Sequence, residues 1–168
     1  MSEKIAYPGN FQPFHSSHLE VLENMIDRFP NCEIVIAVAE ARKESGRKFL
    51  DSDQALEVVR LSLKDAGLDN SRIKSQVVSV NPDMPVAWAK DLISKERITI
   101  VCTGSERTKR ILNLLREAGS WNGRIIELSD KGLHAVQIRD WVKNGDIKYK
   151  LYLSPSSVKL VEEELNLN

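Results

Sequence analysis

Two of the three histidines in the chain, His15 and His18, stand three residues apart near its beginning. At the start of a helix, residues with this spacing share one face of the first turn. An imidazole can donate a hydrogen bond to a phosphate oxygen, so the pair suits phosphate chemistry. The plain alternative is two surface residues. A metal site would need further Cys, His or carboxylate ligands, and the sequence shows no such cluster.

A strand and a glycine lead into this pair. Residues 4 to 7 predict a short buried strand, and Gly9 predicts a tight turn in which the backbone can approach a ligand closely. A helix that follows such a turn begins with unpaired amide N–H groups, and its dipole favours an anion at that end. The stretch therefore predicts an anion site after the first strand.

The same stretch resembles a known signature. It reads GNFQPFHSSH, and the nucleotidyltransferase superfamily has Gly-x-Phe-x-Pro-x-His-x-Gly-His. The sequence Phe-Gln-Pro-Phe-His is most similar to that of archaeal-type nicotinamide mononucleotide (NMN) adenylyltransferases. Ser17 stands where the family usually has glycine, and Asn10 stands where the archaeal-type enzymes usually have arginine.

The resemblance implies roles for individual residues. His18 would stabilise the transition-state phosphoryl oxygens, and His15 would hold the ATP phosphates. Gly9, Asn10 and Phe11 would bind ATP beside them. Because the acceptor phosphate is itself the nucleophile, positioning and charge stabilisation would account for catalysis.

A second stretch, from Leu133 to Val142, resembles the family's Ser-x-Thr-x-Ile-Arg signature. Ile138 and Arg139 match it, and the resemblance implies that both belong to the ATP site, with Arg139 on the β- and γ-phosphates. His134 and Val136 replace the serine and the threonine. We expect His134 to act as a phosphate donor in place of a hydroxyl group.

Two further stretches resemble parts of these enzymes. Thr103 and Gly104 follow an apolar run and would lie against the adenosine. Trp88 would stack on the nicotinamide ring and Asp83 would lie near the acceptor; an aromatic face attracts a cationic heterocycle. On the helix predicted after Gly104, at least two of the three cations Arg107, Lys109 and Arg110 are expected to be solvated.

The order of elements predicts the fold. Five strand-like runs alternate with helices, which predicts an α/β fold. We expect one domain over residues 1–168, a Rossmann-like doubly wound parallel sheet of about five strands in the order 3-2-1-4-5 with a C-terminal helix. In this order the first and fourth strands are neighbours, so Gly9 and Gly104 would flank one crevice at the carboxyl ends of the strands.

Composition limits the partners. The 168 residues carry 24 Lys and Arg against 24 Asp and Glu, and this balance disfavours a nucleic-acid surface. No apolar run is long enough to span a membrane, and no signal core follows the N-terminus. Two cysteines in apolar runs predict buried thiols and a cytoplasmic protein. The basic segment 42–48 is either a lid over polyphosphate or a solvated connection.

Together these features predict transfer of AMP from ATP, with Mg²⁺ held mainly by the ATP, to the phosphate of NMN, giving NAD and pyrophosphate. One alternative is a related enzyme with another phosphorylated acceptor, such as phosphopantetheine, whose adenylyltransferases open with a similar Tyr-Pro-Gly-x-Phe. The other is a nucleotide-binding protein with weak turnover. Related enzymes are often homo-oligomers.

Overall fold

Five parallel strands form one sheet at the centre of the molecule. A computed structural model describes residues 3–40, 49–81, 83–129 and 132–167. The elements are β1 (Lys4–Gly9), α1 (Ser16–Arg28), β2 (Glu33–Ala39), α2 (Ser52–Asp65), β3 (Ile73–Val78), α3 (Ala87–Glu96), β4 (Ile100–Thr103), α4 (Glu106–Glu117), β5 (Arg124–Glu127), α5 (Ala135–Lys143), a 3₁₀ helix (Ile147–Leu151) and α6 (Pro155–Glu164). The strand order is β3-β2-β1-β4-β5, which confirms the predicted Rossmann-like fold.

Apolar side chains cover both faces of the sheet. Neighbouring residues of a strand point to opposite faces, so Ile5 and Tyr7 belong to one core and Ala6 belongs to the other. Helices α1, α2, α5 and α6 pack on the first face, and α3 and α4 pack on the second. Burial on both faces explains why β2 and β4 are continuous apolar runs.

Local hydrogen bonds fix where the helices begin. At the start of α2, Asp51 Oδ1 accepts from the main-chain N–H of Gln54 at 2.9 Å, and Gln54 Oε1 accepts from that of Asp51 at 2.9 Å. Ser154 caps α6, and Pro155 occupies its first turn, where no N–H is needed. Side-chain caps therefore fix the first residues of both helices.

The loop after β1 differs from the prediction. Gly9 is the last residue of β1, paired with Val38, and the left-handed residue is Phe11, with φ of 47°. A Cβ atom on Gly9 would lie 2.7 Å from Cζ of the Phe11 ring. The prediction that Gly9 forms the turn is wrong, because its missing side chain makes room for the ring that folds back over it.

Gln12 ties this loop to two distant elements. Its Oε1 accepts from the main-chain N–H groups of Phe49, at 3.1 Å, and Leu50, at 2.8 Å, just before α2. Its main-chain oxygen accepts from Nη1 of Arg139 on α5 at 2.8 Å. The loop is thus held by long-range contacts at its centre.

The stretch from Ile147 to Leu151, which the sequence left without a helix, forms the 3₁₀ helix. Asp146 caps it by accepting from the N–H of Lys148 at 3.0 Å. Within the described ranges, no helix has the length and apolar character needed to cross a bilayer.

The contact of Phe11 with Gly9 can be tested by a double-mutant cycle. Gly9→Ala should lower the free energy of unfolding by about 1–3 kcal/mol, because the new methyl group overlaps a buried ring. In a Phe11→Leu background the same change should cost clearly less. Urea denaturation of the four proteins measures the coupling. Equal costs in both backgrounds would show that the ring does not set the requirement for glycine.

Candidate functional site

A cavity of about 610 Å³ opens at the carboxyl ends of β1 and β4. These strands are direct neighbours, so the prediction that the turns after them flank one crevice is confirmed. Most of the predicted ATP-site residues line this cavity: Gly9, Asn10, Phe11, His15, His18, Thr103 and Gly104.

Arg139 lines a second cavity, of about 450 Å³, that adjoins the first. The two cavities share Phe11, His18 and His134 as walls. The hydrogen bond from Arg139 to the main-chain oxygen of Gln12 fixes the guanidinium beside the loop that carries the histidines. The structure thus brings the matching arginine of the second signature to the first.

The rings of His15 and His18 stack, with centroids 3.9 Å apart and planes inclined by 34°. Phe11 meets His18 edge-on at 5.1 Å, and Phe14 packs against it at 5.3 Å. The main-chain N–H of His15 donates to Nδ1 of His18 at 3.3 Å. Neutral His18 therefore carries its proton on Nε2, which remains as the donor for a ligand.

His15 is buried without a hydrogen-bond partner. It is 3% exposed and lines the larger cavity, yet neither ring nitrogen has a partner among the described residues. Burial, and then the charge of nearby His134, lower its pKa to about 4. Burial and His15 lower the pKa of His18 to about 3. Both rings are neutral near pH 7, so one of the two unpartnered nitrogens of His15 carries a proton and can donate it to a ligand oxygen.

His134 brings the third histidine of the chain to the same place. It precedes α5 and lines both cavities, together with Ala135 of the first turn. Its main-chain N–H donates to Oε1 of Gln137 at 3.0 Å, which fixes the start of the helix. All three histidines therefore border one cavity, although only two of them belong to the first signature.

Trp88 lines a third cavity, of about 260 Å³, at the carboxyl ends of β1, β2 and β3. Its floor is apolar and includes Ala37, Ala39 and Val78. Gly9 and Ser105 belong to the walls of both this cavity and the large one. An aromatic, mostly apolar compartment thus adjoins the compartment of the histidines.

Two predicted site residues lie elsewhere. Ile138 is 0% exposed and belongs to the core, so its side chain packs the sheet and only its main chain could approach a nucleotide. Asp83 is exposed in the loop before α3, outside the three cavities, and its N–H donates to Oδ1 of Asn81 at 2.9 Å. The basic segment 42–48 lies outside the described residues.

Sequence reasoning did not single out several wall residues. Gln12 lies inside the first signature, and Ser105 caps α4 by accepting from the N–H of Thr108 at 3.2 Å. Ser17 lines the large cavity where the family has glycine, and a Cβ atom on Gly132 would meet its Oγ at 3.2 Å. The sequence offered two signals for these residues: Gln12 lies inside the first signature, and Ser105 stands where a helix cap is expected.

The walls of the two cavities that contain histidine include no carboxylate among the described residues. Among all the residues that the structure describes, no group of three or more His, Cys, Asp or Glu side chains could hold a metal ion. The arrangement therefore offers hydrogen-bond donors and one guanidinium, which is the chemistry that binds phosphate groups.

Comparison with known proteins identifies the family. The sequence model of the cytidylyltransferase-like family matches residues 6–152, which include both signatures. The chain belongs to this family. The chain has a nucleotidyltransferase-type fold. Its two signatures lie at the carboxyl end of β1 and at the start of α5, around one crevice.

Relatives of this cytidylyltransferase-like protein include archaeal enzymes. It is 37% identical over 67 residues to the nicotinamide-nucleotide adenylyltransferase of Saccharolobus solfataricus, covering 40% of this chain and 38% of that protein. It is 24% identical over 148 residues to nicotinamide-nucleotide adenylyltransferase 1 of Sulfolobus acidocaldarius, covering 85% and 79%.

A solved structure shares the fold. The bifunctional NMN adenylyltransferase/ADP-ribose pyrophosphatase of Francisella tularensis, complexed with AMP and a manganese ion, superposes with a TM-score of 0.75 at 17% identity. The superposition covers 100% of this chain and 50% of that one, so the chain spans half the length of the solved protein.

The lowered histidine pKa values predict an acid-sensitive fold. The unfolded chain binds protons at His15 and His18 below about pH 6.5, whereas the folded chain binds them there only near pH 4 and below. The free energy of unfolding should therefore fall as the pH drops from 6.5 to 4. His15→Gln should flatten this decline by as much as about 3 kcal/mol.

Urea denaturation at pH 7, 5.5 and 4.5 measures the effect. The carboxylates titrate in both proteins, so the difference between the two profiles isolates the histidine. Parallel profiles would contradict the burial of a neutral imidazole at position 15.

Proposed function

We propose that this protein transfers AMP from ATP to the phosphate of a pyridine mononucleotide, with NMN as the reference acceptor. An acceptor phosphate oxygen attacks the α-phosphorus, the bond to the β-phosphoryl oxygen breaks, and a dinucleotide and pyrophosphate leave. The observation that carries the proposal is the buried pair of neutral histidines beside a separate aromatic compartment. The relatives named nicotinamide-nucleotide adenylyltransferases support the choice of acceptor.

The histidines would act on the transferred phosphoryl group. His18 donates from Nε2 because its Nδ1 already accepts the N–H of His15. His15 offers an unpartnered ring that the loop holds in place. Donors fixed before the reaction stabilise developing charge without reorganisation, so a rigid pair suits in-line transfer and no protein nucleophile is required.

The terminal phosphates would extend toward α5. Arg139 and His134 line the adjoining cavity, and the first turn of α5 faces it through Ala135 and Val136. Mg²⁺ enters as part of the ATP substrate and is held by phosphate oxygens and water, which this cation commonly keeps as ligands. The carboxylate-free walls of the described residues agree with this arrangement.

The acceptor would occupy the compartment of Trp88. The walls shared with the large cavity, among them Gly9 and Ser105, mark where the acceptor phosphate meets the α-phosphate. The ring of the acceptor then lies on the apolar side, where the face of Trp88 attracts a pyridinium cation. This division assigns one compartment to each substrate.

The deciding experiment measures pyrophosphate release with Mg²⁺ and ATP across NMN, nicotinic acid mononucleotide, phosphopantetheine and FMN. Release with the pyridine mononucleotides, and weaker release in Trp88→Ala, is expected. Release with phosphopantetheine alone would keep the mechanism and replace the acceptor. Binding of ATP without release from any acceptor would favour a nucleotide-binding protein over an enzyme.

Variants of His18 separate its two roles. An asparagine amide can accept the N–H of His15 in place of Nδ1 but leaves no donor at the position of Nε2. His18→Asn should therefore keep the thermal stability within a few degrees and lower kcat by about 10²–10³. Full activity of a folded His18→Asn protein would remove the histidine from the mechanism.

Replacement of His134 tests the contact with the terminal phosphates. His134→Ala should raise the KM for ATP by about tenfold, the cost of one charge-assisted hydrogen bond, and leave the KM for the acceptor unchanged. His134→Ser, which restores the family's residue, should recover part of the loss. An unchanged KM for ATP in His134→Ala would place this side chain outside the nucleotide site.

A further inference from the structure

One arginine lines the compartment of Trp88. Arg107 lies in the first turn of α4, and the other described residues that line this compartment are uncharged. Within the described part of the chain, no carboxylate faces Arg107 across the cavity. A ligand that fills the cavity must therefore meet this positive charge.

The other cations of α4 have different surroundings. Lys109 forms ion pairs with Glu106 and with Glu127, the latter with Nζ and Oε1 2.7 Å apart. Arg107 and Arg110 are both exposed, but Arg110 lies outside the three cavities. Lys109 thus pairs with Glu106, the acidic residue next to Arg107. None of the described residues that line the cavity is an anion, so an anion beside Arg107 would have to come from the ligand.

The position of Arg107 separates it from the side of the site assigned to ATP. The reaction joins the acceptor phosphate to the α-phosphate, so both must lie where the large cavity meets the compartment of Trp88, near Gly9 and Ser105. Arg107 lines the compartment of Trp88 and not the cavities of the histidines. In the proposed arrangement it therefore faces the acceptor rather than ATP, and the ring beside Trp88 is the part of the acceptor that shares this compartment with it.

The charge of the ring then decides between two acceptors. NMN carries a pyridinium cation with a neutral carboxamide, so an adjacent guanidinium would repel it. Nicotinic acid mononucleotide carries the same cation with a carboxylate, which can accept two parallel hydrogen bonds from a guanidinium. Trp88 attracts the pyridinium face in both and so does not distinguish them.

We propose that Arg107 binds a ring carboxylate of the acceptor and makes nicotinic acid mononucleotide a better substrate than NMN. This inference rests on the proposed adenylyl transfer to a pyridine mononucleotide. Phosphopantetheine, whose only anionic group is its phosphate, would leave Arg107 without a partner.

Steady-state kinetics test the preference. The protein should use nicotinic acid mononucleotide with a kcat/KM at least about tenfold above that for NMN. Arg107→Gln should lower kcat/KM for the carboxylate acceptor by about ten- to a hundredfold and leave that for NMN unchanged or raised by about twofold, because the repulsion of the pyridinium is removed. Arg107→Lys should be intermediate. Arg110→Gln, a neighbouring exposed arginine on the same helix, should change neither value and is the matched control.

Binding without turnover separates this inference from the proposed function. Quenching of tryptophan fluorescence can be titrated with both mononucleotides and with their ribosides, which lack the phosphate. Arg107→Gln should weaken the binding of nicotinic acid riboside and of its mononucleotide, and spare both amides. If Arg107→Gln weakens the binding of both mononucleotides equally and of neither riboside, Arg107 binds the phosphate and the inference is wrong. An unchanged preference for the acid over the amide in this variant would also overturn it. If no acceptor is turned over, the enzymatic proposal is rejected. The comparison of binding affinities still tests the role of Arg107 in that case.

Discussion

The packing of the Phe11 ring over Gly9 is the contact on which the site depends. The ring fills the space that a side chain at Gly9 would need, and it touches Tyr7, Phe14 and His18 with centroids between 5.1 and 5.4 Å. To make this contact the backbone adopts a positive φ at Phe11, a conformation that costs about 1–3 kcal/mol and is maintained only by its surroundings. The gain is a rigid wall against which the imidazoles stack. A buried ring nitrogen without a partner is unfavourable, and in the proposed function a phosphate oxygen would relieve this cost by accepting from the N–H of His15.

The central position of β1 in the sheet places the loop that follows it between the three cavities. Because β1 is central, its carboxyl end lies between that of β4 on one side and those of β2 and β3 on the other, and cavities open on both sides. Gln12 joins that loop to α5 and to the start of α2 through three hydrogen bonds. Asn10 of this loop lines all three cavities, so a displacement of the loop would change the walls of each of them.

Periodicity and two signatures are local features, and from them we predicted the strand order and a set of site residues most of which line the cavities. It could not predict that Gly9 serves Phe11, because that requirement arises from a ring two residues away. It also placed Ile138 at the site, although the helical position of Ile138 turns the side chain into the core. Arg107, Lys109 and Arg110 are equivalent in sequence. Only the fold shows that Lys109 pairs with glutamates and Arg107 lines a cavity.

The departures from the family signatures change how the site carries charge. Asn10 replaces an arginine, and His134 and Val136 replace two hydroxyl residues, so a fixed cation is lost and an imidazole is gained. Burial keeps His15 and His18 neutral in the free protein, and each would gain a proton more readily beside a polyphosphate, because a nearby negative charge raises the pKa of an imidazole. The fixed positive charge of the walls around the histidines is the guanidinium of Arg139, and the neutral imidazoles of His15 and His18 add hydrogen-bond donors beside it.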